Sequence, residues 1–242
     1  ISMDYCVQYQ ESDFNFVSRL LEQDGLFYYF EHQSDKHIMH ICDNANVFKP
    51  LSQPALEHSS GSRDKTHIYE WKHKFQYCSG AYAQTDYNFE TANRSLLTET
   101  PTCISLPNNS ALEKFEFPGK YGDSQRGQQL TRIRMQQEEV EFQAVHARSN
   151  IHFLSLGKKF KLSSDEATAD NKKGFFISEI HHIAHEGSYL REDKKNKPTE
   201  YENQFSCLPE ETIFRPSLLT SKPRIDGIQT AVVVGPPGED VY

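Results

Sequence analysis

Three closely spaced histidines, His181, His182 and His185, are the residues whose type and spacing best fit metal chemistry. On a helix, side chains four positions apart lie on one face, so His181 and His185 could share a zinc ion. The preceding segment, Phe175 to Ile180, has instead the aromatic and β-branched composition of a strand. On a strand His182 would lie on the opposite face, and no glutamate follows the first histidine as in metalloproteases. The pattern favours a partly exposed strand, and a metal-dependent hydrolase that uses the His181-His185 cluster is the alternative.

Other local signals of catalysis are missing from the sequence. His37 and His40 have opposite parity on a predicted strand and His32 lies across a turn, so ordinary polar positions explain all three. The sequence has no G-x-S-x-G nucleophile elbow, no G-x-x-x-x-G-K-[ST] and no G-x-G-x-x-G. We therefore predict no catalytic residue, no metal ligand and no cofactor, in a protein that is not an enzyme.

The composition narrows the function classes further. The formal net charge is −8, and basic runs are no longer than pairs such as Lys158-Lys159, which argues against a nucleic-acid partner. No apolar run approaches the roughly 20 residues of a membrane span, so we expect no stable membrane insertion. The 16 Phe and 12 Tyr favour a β-dominated fold. The cysteines form no C-x-x-C pair, and we expect reduced, mostly buried thiols at Cys6, Cys42, Cys78, Cys103 and Cys207.

A helix followed by a hairpin is predicted at the start of the chain. Ser12 is a plausible N-cap, Gly25 fits the left-handed position after the helix, and the residues between them carry an apolar stripe. Strands are expected at 26–30 and 37–42, joined by a polar turn. These elements predict a small α/β lobe over residues 1–57. The apolar stripe consists of Phe16, Val17, Leu20 and Leu21.

The central part of the chain is predicted to be mostly strands. Residues 50–64 are expected to be a loop, and aromatic residues alternate with polar ones from Tyr69 to Tyr77, as in a strand with one buried face. A turn at Ser79-Gly80 predicts a hairpin with a second strand at 81–89. Phe115 to Phe117 is a further short strand, and Ser124 to Glu139 is predicted to be a surface or interface helix.

The remaining strands predict a barrel or a curled sheet. They are expected at 140–148, 159–162, 175–185 and 201–207, and their spacing predicts an antiparallel β-barrel domain over 58–225. An extended connector is predicted at 214–223. The last segment, 226–242, has a β-branched strand from Ile228 to Val234 and a Gly-Pro-Pro-Gly turn, but no completed second strand. We interpret the chain as an internal piece of a longer protein.

Both ends of the chain resemble the VgrG spike proteins of the type VI secretion system. Residues 5–32, YCVQYQESDFNFVSRLLEQDGLFYYFEH, are similar to the family pattern, with Met3-Asp4 where Arg-Glu is common and Gln23-Asp24 in place of two acids. Residues 227–241 match the family where its small oligonucleotide/oligosaccharide-binding (OB) barrel begins. Phe117-Pro118-Gly119 and Phe214-Arg215-Pro216 occur between them in the expected order.

The resemblance implies a structural role. It implies a phage tail-hub-like barrel with a small α/β lobe, ending at the first strand of an OB-fold barrel. It also implies a homotrimer in the full-length protein, seated on the Hcp tube, with a PAAR tip and effectors as possible further partners. Such a spike is assembled in the bacterial cytoplasm and then translocated out of the cell.

Three questions stay open at this point. The aromatic strand, Tyr69, Trp71, Phe75 and Tyr77, is a candidate trimer contact, although burial in the subunit's own core explains it equally well. A hub protein of a phage-type tail baseplate is an alternative to the secretion spike. A carbohydrate-binding β module would have exposed aromatics in a cleft.

Overall fold

A computed structural model of the protein describes residues 6–61, 63–185, 200–228 and 230. Within them lie two α-helices, α1 (Asp13–Gln23) and α2 (Ser124–Val140), and eleven strands. The strands are β1 (Phe27–His32), β2 (His37–Cys42), β3 (Lys49–Glu57), β4 (Ile68–Phe75), β5 (Ala81–Gln84), β6 (Thr98–Pro101), β7 (Glu113–Glu116), β8 (Gln143–Ser149), β9 (Lys158–Ser163), β10 (Gly174–His185) and β11 (Glu200–Pro209). The mainly β class with a curled sheet is therefore confirmed.

Helix α1 and the β1–β2 hairpin form the N-terminal layer. The Ser12 side chain accepts a hydrogen bond from the Asn15 N–H, and Gly25 has a φ of +70°, as their positions predict. The predicted apolar stripe is only partly correct. Val17 is 43% exposed, whereas Ser18 is buried because its hydroxyl faces the Tyr28 hydroxyl at 3.1 Å.

Six strands form one sheet in the order β3-β9-β10-β11-β8-β4. The prediction of a loop over 50–64 is wrong for its first half, because β3 pairs in parallel with β9. Two prolines, Pro50 and Pro54, mask this strand in the sequence. Proline lacks a backbone donor and is tolerated at a sheet edge, which is where β3 lies.

The sheet curls until its two edge strands meet at one end. His58, directly after β3, forms a parallel bridge with Ile68 at the start of β4. The concave side is filled by a core in which rings such as Phe160, Phe175 and Phe205 pack together. A second core under the hairpin consists of Phe27, Ala45, Phe48, Phe176 and Leu208.

Strands β5, β6 and β7 form a separate three-stranded sheet in the order β6-β5-β7. The predicted hairpin between the aromatic strand and 81–89 is therefore wrong. Gly80 serves a close approach instead, because a Cβ at this position would lie 2.2 Å from the Asn109 carbonyl oxygen.

Helix α2 packs on this small sheet and is more buried than predicted. Its inward face is largely polar: Thr131 donates a hydrogen bond to the Gln84 side chain at 3.3 Å and lies 2.7 Å from the Thr98 hydroxyl. The small number of apolar residues predicts a surface or interface helix, but hydrogen-bonded polar side chains can also be buried within the subunit with little penalty. The buried residues of α2 are Gly127, Leu130, Thr131, Arg134, Met135, Gln136 and Gln137.

The remaining predictions concern the cysteines, membrane spans, the C-terminal segment and the domain limits. All five cysteines are free thiols; Cys78 and Cys207 are buried, Cys42 is half-buried, and Cys6 and Cys103 are exposed. Among the described residues, no helix is long and apolar enough to cross a membrane. The predicted strand from Ile228 and the turn after it fall almost wholly outside the described residues, and the domain limits 1–57, 58–225 and 226–242 remain predictions.

The packing of α2 can be tested at Gly127. Glycine-to-alanine changes inside helices usually stabilise by about 0.5–1 kcal/mol. Here a Cβ would lie 2.5 Å from Cε2 of Tyr121, whose hydroxyl donates to the Leu96 carbonyl at 2.9 Å. We expect Gly127→Ala to lower the free energy of unfolding by about 1–3 kcal/mol in urea denaturation. Gln129→Ala, at an exposed position of α2, should change it by less than about 0.5 kcal/mol, and a stabilised Gly127→Ala would contradict the close packing.

Candidate functional site

The three clustered histidines lie on strand β10, as predicted. His181, His182 and His185 are all exposed, and His182 Nδ1 lies 2.7 Å from the Tyr201 hydroxyl. His181 opens into a shallow cleft beside Glu179, whereas His185 lines a different one. Across the described residues, no group of three or more His, Cys, Asp or Glu side chains is arranged to hold a metal ion.

The histidines of the hairpin make pairwise contacts on the surface. His32 pairs with His37 at the end of the hairpin next to the turn, as their registers in β1 and β2 require. His40 stacks on Tyr29 and lies 3.2 Å from the Glu31 carboxylate. These are pairwise surface contacts, in keeping with the interpretation as ordinary polar positions.

The alternating aromatic strand divides between core and surface. Trp71 packs edge-on against Phe175, with 5.0 Å between the ring centroids, and so belongs to the subunit's own core. Phe75 and Tyr77 are 62% and 54% exposed. Phe75 and Tyr77 are the mostly exposed members of this aromatic set, and its role as a trimer contact stays a prediction.

The most elaborate polar site lies at the C-terminal end of α1. The last carbonyls of a helix have no partner within it, and that end carries partial negative charge. Arg134 of α2 donates from Nη2 to the Gln23 carbonyl at 3.0 Å. Arg215 of the connector donates from Nη1 to the Gly25 carbonyl at 3.1 Å. Arg134 thus satisfies the last carbonyl of α1, and Arg215 binds the carbonyl of Gly25, two residues beyond the helix.

The connector after β11 is attached at the same place. Arg215 also donates from Nη1 to the Asp43 carbonyl at 2.7 Å and from Nε to Oε1 of Gln136 at 2.9 Å. Gln137 donates to the Pro216 carbonyl at 2.6 Å. One arginine therefore joins the connector to α1, α2 and the loop after β2.

Glu22 of α1 provides a second attachment for the connector. Its two carboxylate oxygens accept hydrogen bonds from the Thr220 amide at 2.9 Å and the Thr220 hydroxyl at 2.8 Å. Phe214 adds an apolar contact, with its ring 4.9 Å from that of Phe27. We call the set Glu22, Gly25, Arg134, Gln137 and Arg215 the helix-end joint.

Burial of the two guanidinium groups lowers their pKa values. Desolvation lowers the pKa of Arg134, and the nearby Glu116 carboxylate partly opposes this shift. The pKa of Arg215 is likewise lowered by desolvation, with Asp43 opposing. Because arginine starts from a pKa above 12, both groups remain charged at neutral pH. The two guanidinium groups of the joint therefore keep their positive charge in that range.

No local pattern in the sequence indicates that these residues meet. Helix α2 has an unusual content of Gln and Arg, and this composition is the local signal for polar side chains that serve contacts. Arg215 lies in the Phe214-Arg215-Pro216 motif, yet nothing in the motif identifies Gly25 as its partner. The joint can position a chain segment, and its groups offer no nucleophile paired with a base.

Comparison with known proteins gives this architecture a family. The model of the phage tail baseplate hub family (GPD) matches residues 1–188. The chain belongs to that family. The type VI secretion system spike proteins VgrG1b and VgrG1a of Pseudomonas aeruginosa are 30% and 28% identical to this hub chain, each over 99% of it. The alignments cover 32% and 37% of those proteins, so the hub chain spans about a third of their length.

A solved structure supports the same fold. The Escherichia coli c3393 protein is a component of the type VI secretion system, with structural similarity to the bacteriophage T4 tail proteins gp27 and gp5. It matches 91% of the hub chain and 44% of its own, with a TM-score of 0.56 and 18% identity. The predicted hub-like fold and the resemblance to VgrG spike proteins are confirmed.

The helix-end joint predicts how the connector is held on the hub. Arg215→Gln removes a guanidinium that donates three hydrogen bonds, each worth about 1.5–3 kcal/mol when the donor is charged. We expect chymotrypsin to cleave the native variant after Leu218 or Leu219 at least about tenfold faster than the unaltered protein. Chymotrypsin is suitable because it does not cut at the mutated residue.

Arg224→Gln is the matched control. The Arg224 side chain is 89% exposed and pairs with the similarly exposed Asp226, so its loss should leave cleavage of the connector unchanged. Equal cleavage rates in Arg215→Gln, Arg224→Gln and the unaltered protein would show that the joint does not hold the connector.

Proposed function

We propose that this chain is the hub segment of a type VI secretion spike and acts as a structural component. The similarity to VgrG spike proteins over 99% of the chain carries the proposal. The curled sheet and the attached connector support it, since both suit a rigid support for the other parts of a spike.

In this proposal three copies form the hub of the full-length protein. The hub sits on the Hcp tube and carries the puncturing needle, with a PAAR tip and effectors as further partners. The spike is assembled in the bacterial cytoplasm and then translocated out of the cell. The chain contributes stiffness and shape and no chemistry of its own.

A mechanical role needs a connector that leaves the hub in one direction. Hydrogen bonds are directional, whereas apolar contacts are not. Arg215, Gln137 and Glu22 give the connector directional contacts to two helices. We infer that the helix-end joint transmits the position of the hub to the next part of the spike.

A hub protein of a phage-type tail is the second candidate. The match to the phage tail baseplate hub family supports the fold of a tail hub as well as that of a spike hub. The 30% sequence identity to a type VI secretion spike protein, over 99% of the chain, favours the secretion spike. The two functions share an architecture and differ in the sheath and tube on which the hub is built.

The proposal is tested in the source bacterium with the full-length gene. Deleting the gene in a strain without a second spike gene should abolish release of Hcp into the medium, while Hcp inside the cells stays unchanged. The unaltered gene should restore release. Light scattering of the purified full-length protein should give the mass of three copies.

Two results would overturn the proposal. Undiminished Hcp release after the deletion, with the protein recovered in phage tail particles, would favour the tail hub. A full-length protein that stays monomeric across a concentration series would contradict both hub functions.

A further inference from the structure

The curled sheet is closed by very few contacts. His58 and Ile68 form a single bridge between the ends of β3 and β4, and the Ser59 amide donates to the Ile68 carbonyl at 3.0 Å. Among the described residues, β3 otherwise pairs with β9 alone, and β4 with β8 alone. We call His58–Ser60 together with His67–Ile68 the seam.

A loop between β9 and β10 lies across the seam and ties down both of its sides. On the β3 side, Ser164 Oγ lies 2.9 Å from His58 Nδ1, and the Glu166 carboxylate accepts the Ser60 amide at 3.0 and 3.1 Å. On the β4 side, Asp170 accepts the Trp71 indole N–H at 2.9 Å. We call residues 164–170 the strap.

The hydrogen bonds of Ser164 determine where the proton of the His58 ring lies. Ser164 Oγ accepts the amide of Glu166 at 3.2 Å and the amide of Ala167 at 2.9 Å. A hydroxyl has two acceptor lone pairs and one proton, so its proton is left to donate to His58 Nδ1. The neutral His58 ring therefore carries its own proton on Nε2. A proton on Nδ1 would face an oxygen whose lone pairs are both in use.

We propose that the seam is an acid-sensitive latch in which protonation of His58 releases Ser164 and weakens the hold of the strap on the β3 side, where Glu166 still accepts the Ser60 amide. Only the β3 side is weakened. His73 Nε2 lies 2.6 Å from Asp170 Oδ2 on the β4 side, and a protonated His73 would keep that contact as an ion pair. This latch is a property of the fold and does not depend on the proposed function.

The groups around His58 agree with this direction. Burial lowers the pKa of His58; the Glu166 carboxylate opposes the shift and His67 adds to it. His67 already holds its Nδ1 proton towards the Lys65 carbonyl at 2.8 Å, so a second proton on Nε2 would break no bond there. The other charged groups near the seam are Glu57, Asp64 and Lys65 along its cleft, and Asp165, Asp170 and Lys173 on or beside the strap.

The lowered pKa sets the sign of the pH dependence. Below the ordinary histidine pKa near 6.5, the open seam binds a proton that the closed seam resists. The closed state therefore has its full stability above about pH 6.5 and loses it progressively as the pH falls from there towards the lowered pKa. At pH 5.5, one unit below the ordinary histidine pKa, the equilibrium constant for closing the seam can fall by at most about tenfold.

Hydrogen exchange of the full chain measures the latch directly. The protection factors of the Ser59 and Ser60 amides should fall by up to about tenfold between pH 7.5 and 5.5, while those in the β10–β11 ladder stay constant. In His58→Asn the amide oxygen can accept the Ser164 proton and does not titrate, so the fall should shrink to less than about twofold. His32→Asn, at an exposed position of the β1–β2 hairpin, is the matched control and should keep the response of the unaltered protein.

A second measurement decides the matter if His58→Asn fails to fold. Nitrogen chemical shifts of the unaltered protein at pH 7.5 should show His58 as the Nε2–H tautomer. An Nδ1–H tautomer would overturn the proposal, as would constant protection of Ser59 and Ser60 down to pH 5.5. The same fall in His58→Asn as in the unaltered protein would also overturn it.

Discussion

The C-terminal carbonyls of α1 are the constraint on which the arrangement of the N-terminal layer, α2 and the connector depends. A helix end that packs against other elements must find donors for these groups. Arg134 reaches the Gln23 carbonyl from 111 residues away, and Arg215 reaches the Gly25 carbonyl, just beyond the helix, from 190 residues away. Contacts at this helix end therefore bring three distant segments together. Gly25 makes this possible because its left-handed conformation ends the helix beside the connector.

The curling of the six-stranded sheet concerns a different constraint, which is that its edge strands β3 and β4 each have an unpaired side. A long exposed edge strand invites pairing with other chains. Strand β3 carries Pro50 and Pro54, which remove backbone donors, and β4 carries Lys72 and Lys74 on its exposed part. Where the edges meet, closure depends on side chains of the strap more than on a backbone ladder. Side-chain contacts of this kind respond to protonation, whereas a ladder of backbone hydrogen bonds does not.

The elements that the sequence predicts well are those whose signal is local. The prediction for strand β2 has the observed limits, and that for β10 differs by one residue, because apolar periodicity is contained within each strand. Strand β3 and the role of Gly80 escape prediction because their causes lie elsewhere, in the parallel partner β9 and in the turn at Asn109. The helix-end joint is the extreme case, since its partners share no local pattern and only the Gln- and Arg-rich composition of α2 hints at it.

Removing the guanidinium groups of the joint from water costs free energy, and what they provide in return is a fixed orientation of the connector. An apolar contact alone, such as that between Phe214 and Phe27, would hold the connector against the lobe while letting it slide. A planar guanidinium with acceptors on α1, α2 and the loop after β2 fixes both position and angle. Replacing such groups by apolar side chains can leave stability unchanged, so their value lies in specificity. Under the proposed function, the hub presents the next segment of the spike in one orientation, and the joint supplies the directional contacts that this role needs.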